Sequence, residues 1–202
     1  MANFLSEYIG SGQGFFPSDF GDGYRCSATL RDGTHLPCVV LRKPQKMVDL
    51  LVRRLEEERG GQGVYSKVSK DPYRDFVGSI FTSQNLIRDF EIKSVCPSPY
   101  AIPLDLLKQI KGESIMGWTG FVFEMGDGKL FSYGTSFNFE FFDLPEGYEF
   151  SDVKQVHNHS YLSDSGDMLP LRGHAVKFLE TSGGLVIYRE RSFFECFVND
   201  RN

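Results

Sequence analysis

The chain is poor in the residues that build disulfide or metal frameworks. Four of its 202 residues are cysteine, four are histidine, and no Cys-x-x-Cys pair occurs. Cys26 and Cys38 flank a turn at Asp32-Gly33. A two-residue loop there sets Cys26 opposite Val39 and turns Cys38 to the other face, so a bridge would need a bulge or a register slip. We expect four reduced thiols, most of them buried.

Long apolar runs are also missing. No stretch approaches the roughly 18 residues of a membrane span. The first fourteen residues, MANFLSEYIGSGQG, lack both the basic and the long apolar segments of a secretory signal. The sequence therefore predicts a cytoplasmic chain that does not enter a membrane.

Positive charge is in deficit, since the formal net charge is -5. The basic residues within 42–54 are followed at once by three glutamates. General nucleic-acid binding needs a clustered basic surface, so this class of function is not expected. A mildly acidic surface favours solubility and can steer a basic protein partner.

The motifs of the large nucleotide-binding and hydrolase families are absent. No Gly-x-Gly-x-x-Gly follows a predicted strand, and neither a phosphate-binding loop ending in Gly-Lys-Ser/Thr nor a Gly-x-Ser-x-Gly occurs. We therefore expect no nucleotide cofactor and no α/β-hydrolase activity.

Phenylalanine is abundant, with 19 residues, and it is concentrated in residues 117–144. This segment alternates aromatic residues with small or polar ones on either side of a glycine-rich turn at 125–129. Alternation of this kind predicts a long β-hairpin with one aromatic face. Eight residues make up that face: Phe121, Phe123, Met125, Phe131, Tyr133, Phe137, Phe139 and Phe141. Such a face must be covered, most simply by helices.

The remaining pattern predicts two clear helices and several short strands. Apolar spacing of three and four marks a helix over 44–59, and Pro103 begins a shorter one that ends at Gly112. Residues 73–81 have helical spacing weakened by Gly78. Residues 60–71 and 158–170 are expected to be polar loops. Strands are expected at 24–30, 35–41, 86–95, 153–157, 175–179, 184–189 and 192–198.

Strands grouped around a few helices, without regular βαβ alternation, indicate an α+β fold. We predict a mainly antiparallel or mixed sheet, with the hairpin 117–144 packed by two or three helices. One domain over 1–202 is expected, with residues 1–23 as an irregular lead-in.

Three of the four histidines fall in one polar segment. His157 and His159 would point the same way on a strand, and Asp164, Asp167 or His174 can supply a third ligand. Such nitrogen and oxygen donors suit Zn²⁺ or another divalent ion with one position open for water.

Side chains that could support chemistry beside such a metal also occur in the chain. Glu140, Glu146 or Glu149 would serve as the general base of a metal-dependent hydrolase. Separately, Cys26 and His35 lie on the two arms of the first hairpin, and they are a weaker candidate pair of nucleophile and base.

Two functions therefore remain open on the sequence. The first is a cytoplasmic protein-binding domain of the immunity, inhibitor or adaptor kind, without a cofactor, that uses an acidic and aromatic surface. The alternative is the metal-dependent hydrolase built on His157, His159 and a nearby aspartate.

Overall fold

The computed structural model describes residues 3–18, 22–68, 70–71, 85–114, 117–136, 138–171 and 187–198. The segments predicted at 73–81 and 175–179, and the first half of the one at 184–189, lie outside these residues. The described part contains no helix long and apolar enough to cross a membrane.

Contacts within the chain group it into two compact units, Met1–Pro97 with Phe193–Asn202, and Ser98–Ser192. The two units are described separately. The expectation of one domain over 1–202 stays a prediction.

The first unit is built from three α-helices and six strands in the described residues. Their bounds are α1 Asn3–Gly10, β1 Phe15–Phe16, β2 Gly23–Leu30, β3 His35–Arg42, α2 Pro44–Arg59, α3 Val64–Val68, β4 Leu86–Arg88, β5 Ile92–Pro97 and β12 Phe194–Phe197. The helix α2 has the predicted bounds, with proline in its first turn and glycine after its end.

The sheet of this unit is mixed. β1 and β5 pair antiparallel with β2, and β2 pairs antiparallel with β3. β12 then pairs parallel with both β3 and β4. β4 lies at one end of the strand order and β5 pairs with β2 at the other end, yet only three residues separate β4 from β5 in the chain. The sheet must therefore curl so that its two ends approach each other.

The core of the unit lies between this sheet and α1. Leu5, Tyr8 and Ile9 recur at helical spacing and pack against buried strand residues that include Cys26 and Ile92. The prediction of an irregular lead-in over 1–23 is wrong here, since the glycine-rich stretch that suggested it begins only where α1 ends.

The thiols follow the expected register. Cys26 lies opposite Val39, and a bulge follows between Cys26 and Ala28. None of the four cysteines, all of which lie in the described part of the chain, forms a disulfide; Cys26, Cys38 and Cys196 are buried and Cys96 is exposed.

The second unit holds one α-helix and six strands in its described residues. They are α4 Leu104–Leu107, β6 Thr119–Met125, β7 Leu130–Thr135, β8 Val153–Asn158, β9 Ser160–Leu162, β10 Met168–Pro170 and β11 Ile187–Arg189. Four strands form a mixed sheet in the order β11-β7-β6-β8, with β11 parallel to β7, and β9 and β10 form a separate hairpin.

The aromatic face predicted for the hairpin is present and buried. Phe121, Phe123 and Tyr133 have ring centroids 4.6 to 5.5 Å apart. Their cover comes from Leu106 of α4 and from residues outside helices and strands, Ile102 and Phe142 among them. Two or three helices were expected on this face, and the described part of the unit supplies one short α-helix.

The hairpin is shorter than predicted. β7 ends at Thr135, whose side-chain oxygen accepts the Asn138 amide proton and donates to the Asn138 carbonyl, 3.0 Å in each case. This local pair replaces cross-strand hydrogen bonds and turns the chain away. Phe139 and Phe141 therefore lie off the strands, and Phe137 lies outside the described residues.

Three further segments differ from the prediction. The expected strand 86–95 is broken by a 3-10 turn at Asp89–Glu91. The expected loop 60–71 contains α3, and the expected loop 158–170 contains β9 and β10.

The opposite face of the hairpin is organised by the single tryptophan. The Trp118 ring lies across Gly134, where a β-carbon would overlap it, and Leu171 packs beside Gly120. The Arg189 guanidinium stacks over the same ring at 4.5 Å. Glycine on β7 thus makes room for the tryptophan that immediately precedes β6.

We predict that Gly134→Ala lowers the free energy of unfolding by about 1 to 3 kcal/mol, because the added methyl group displaces a buried ring. Gly112 has open space around it, so Gly112→Ala should change stability by less than about 0.5 kcal/mol. Urea denaturation of both variants measures the difference. Equal stabilities would show that Trp118 does not require the glycine.

Candidate functional site

The two central histidines do not lie on one strand. β8 ends at Asn158, and His159 follows in a left-handed turn with φ of 52° before β9 begins. The expected same-side geometry needs extended backbone through both residues, so this turn removes its basis. Each imidazole has a different partner.

His157 contacts a carboxylate on the neighbouring strand. Its Nε2 donates to Glu124 Oε2 at 2.9 Å, and Lys154 Nζ donates to Glu124 Oε1 at 3.0 Å. The hydrogen bond from His157, followed by that from Lys154, holds the pKa of Glu124 below its ordinary value. This cluster is a half-buried charge network, with about one fifth of the Glu124 and His157 side chains exposed.

Glu124 was expected only as a solvent-facing residue of the hairpin. The strand pairing of Val122 with His157 and of Glu124 with Gln155 brings it to the histidine. The alternation along β6 predicts the face of the hairpin on which Glu124 lies. The contact with His157 depends on the register of β8 against β6, and nothing in the sequence predicts that register.

His159 has a structural contact. Its Nε2 donates to the Gly112 carbonyl at 3.0 Å. The neighbouring Asn158 accepts from the Lys111 amide and donates to the Gln109 carbonyl. This turn therefore fixes the segment that follows α4.

The two aspartates lie in the turn between β9 and β10. The Asp167 carboxylate accepts from Ser165 Oγ at 2.6 Å, and Asp164 is exposed. His174 lies outside the described residues. Within the part of the chain that is described, no three histidine, cysteine, aspartate or glutamate side chains are arranged to hold a metal ion.

The predicted general bases are spread along one connection of the second unit. Glu140 is buried, whereas Glu146 and Glu149 are exposed. The Glu149 carboxylate accepts from Ser151 within its own turn. The carboxylate that contacts His157 is Glu124 rather than any of these three.

The thiol candidate lacks the features of a nucleophile. Cys26 is fully buried, and burial raises the pKa of its thiol. The proposed base, His35, is exposed at the start of β3. A buried thiol with a raised pKa is a packing residue rather than a reactive one.

A second feature, which the sequence did not single out, is the turn between β4 and β5. We call Asp89–Glu91 the Phe90 turn, because it exposes 56% of Phe90 to solvent. The Arg88 amide donates to Glu91 Oε2 at 2.8 Å, and the Arg31 amide donates to the Glu91 carbonyl at 2.9 Å. Arg31 Nε also donates to the Phe90 carbonyl at 2.6 Å.

These bonds fix the backbone of the turn from both sides while the aromatic ring stays outside. Full burial of a phenylalanine contributes about 1.5 to 3 kcal/mol, so leaving half of it in water forgoes a sizeable share. A fixed backbone that carries an exposed aromatic ring is the kind of feature that partner binding uses.

Comparison with family models, with curated proteins and with solved structures found no match.

The metal prediction is decided by elemental analysis of the purified chain, since His174 lies outside the described residues. Stoichiometric metal that His157→Ala and His159→Ala each remove, and that His35→Ala leaves in place, would support it. Absence of metal, together with a melting temperature unchanged by Zn²⁺, would contradict it.

We predict that Glu124→Gln lowers the melting temperature at pH 6 and has a smaller effect near pH 3. The folded-state pKa of Glu124 lies below the unfolded one, so its stabilisation is present above the unfolded value and is lost as pH falls through the folded value. Thermal melts at the two pH values measure this. Glu146→Gln removes an exposed carboxylate and serves as control. An equal effect of Glu124→Gln at both pH values would contradict the linkage.

Proposed function

We propose that the chain is a protein-binding domain of the immunity, inhibitor or adaptor kind, and that the Phe90 turn is its anchor. The observation that carries this proposal is the direction of the Phe90 side chain. On an unbroken strand 86–95, Phe90 would share a face with Ile92, which is fully buried. The 3-10 turn reverses that direction and presents the ring to solvent.

The fixed backbone supports the proposal on energetic grounds. Binding is weakened by the entropy lost when interface groups become ordered, and a pre-organised anchor loses less. Aromatic residues are also enriched among the few side chains that dominate interface energies. A ring on a hydrogen-bonded turn combines both properties.

Charged groups around the ring form the polar rim that interfaces usually have. Arg31, Asp32, Arg88 and Glu91 are all exposed near the turn. The chain as a whole carries a formal charge of -5, which favours approach of a basic partner. The contacts of His157 and His159, by contrast, give no specific support to the metal-dependent hydrolase.

We predict that Phe90→Ala weakens binding of the partner at least about tenfold, or roughly 1.4 kcal/mol. The partner is first isolated with the tagged chain from lysate of the source cells, and its affinity is then measured by calorimetry. Folding stability should fall by no more than about 1.5 kcal/mol, because about half of the ring is already exposed to solvent.

Val52→Ala is the matched control, since Val52 is exposed to a similar degree on α2 of the same unit. The control should bind with wild-type affinity. A partner that binds Phe90→Ala as tightly as the wild type would contradict the proposal that the Phe90 turn is the anchor. Failure to isolate any specific partner, together with turnover in an enzyme screen, would contradict the proposed binding function.

A further inference from the structure

The Phe90 turn leads directly into a strand at the edge of its sheet. β5 pairs with β2 along one side, and no other strand pairs with it among the described residues. Lys93, Ser94, Cys96 and Pro97 are exposed along it. An edge strand of this kind offers backbone groups to an added strand.

A groove of about 570 Å³ runs between this strand and α1. Its apolar wall is formed by Phe4, Tyr8 and Val95. The Tyr8 hydroxyl donates to the Arg25 carbonyl at 3.0 Å, which fixes that ring in place. The groove is open to solvent, and its volume is ample for one large apolar side chain.

Two opposite charges flank the groove. Glu7 on α1 and Lys93 on β5 both line it, and both are exposed. Thr29 pairs with Ser94 and Leu30 pairs with Ile92, so Lys93 is the extra residue of a bulge. Bulges redirect side chains at sheet edges, and here the redirected side chain is a cation beside the groove.

The same features disfavour pairing with a second copy of the chain. A lysine, a bulge and a terminal proline are devices that protect an edge from a flat identical strand. Self-pairing would also bring two Lys93 side chains to one interface, where like charges repel. A foreign strand with a matching acidic residue meets neither obstacle.

We infer that β5 accepts an extended peptide segment of the partner protein as an added strand. One apolar side chain of the segment fills the groove between α1 and β5. An acidic residue of the segment pairs with Lys93, and a basic residue pairs with Glu7. Backbone hydrogen bonds supply affinity in this mode, while the groove and its charges select the sequence. The inference deepens the proposed protein-binding function and rests on it.

The test uses the full-length chain and a display library of random linear peptides as the probe. The expected consensus is an apolar residue with an acidic residue on one side and a basic residue on the other. Lys93→Glu should weaken the selected peptides about tenfold and, in a fresh selection, replace the acidic preference with a basic one. Glu7→Lys should reverse the other preference.

Lys67→Glu is the matched control, because Lys67 is an exposed lysine of the same unit outside the groove. It should bind the selected peptides as the wild type does. Circular dichroism confirms that each variant is folded, and Glu7→Lys and Lys93→Glu test the same groove independently. A consensus that neither variant alters, or no consensus at all, would overturn the inference. So would a dimer, detected by light scattering, that Lys93→Glu dissociates.

The two tests fail separately. Phe90 does not line the groove, so Phe90→Ala should bind the selected peptides unchanged. If the groove selects peptides but no partner depends on Phe90, only the proposal that the Phe90 turn is the anchor is contradicted. If a partner depends on Phe90 but the peptides show no consensus, only the inference of an added strand is contradicted.

Discussion

Contact among aromatic rings on one face of the β6–β7 hairpin is the interaction on which the second unit depends. The rings of Phe121 and Phe123 both meet the Tyr133 ring, and such pairs add about 0.5 to 1.5 kcal/mol to burial itself. The Tyr133 hydroxyl is buried and has no hydrogen-bond partner among the described residues, which costs about 1 to 3 kcal/mol, and burial raises its pKa. The rest of the unit follows from strand alternation: rings occupy one face, and Trp118 and Glu124 occupy the other.

The first unit uses the same alternation, and a short turn joins the strands at the two ends of its sheet. β4 pairs with β12 at one end of the strand order, and β5 pairs with β2 at the other. Only Asp89–Glu91 separates the two strands, so the strand must change direction and partner within three residues. A 3-10 turn achieves this, and the bonds from Arg31 join it to the β2–β3 turn.

Much of this architecture could be predicted wherever periodicity alone decides the structure. The bounds of α2, the pairing of Cys26 with Val39 and the burial of Phe121 and Phe123 all follow from spacing and turn chemistry. What could not be predicted depends on long-range pairing: the parallel β11 and β12, and the register that brings His157 to Glu124. The histidine site was predicted on an extended segment, and a single residue in the left-handed region, His159, changes that geometry.

The geometry of the sheet explains the backbone of the Phe90 turn but leaves the choice of its central side chain unexplained. That geometry explains a break between β4 and β5, and it explains why Arg31 and Glu91 hydrogen-bond there. It does not explain a phenylalanine at the outermost position, where any polar residue would meet the backbone requirement and avoid exposing an aromatic ring to water. The same break starts β5 on an edge whose bulged Lys93 already disfavours unselective pairing. The exposed ring and the guarded edge strand that follows it are therefore the two features on which the proposed partner binding rests.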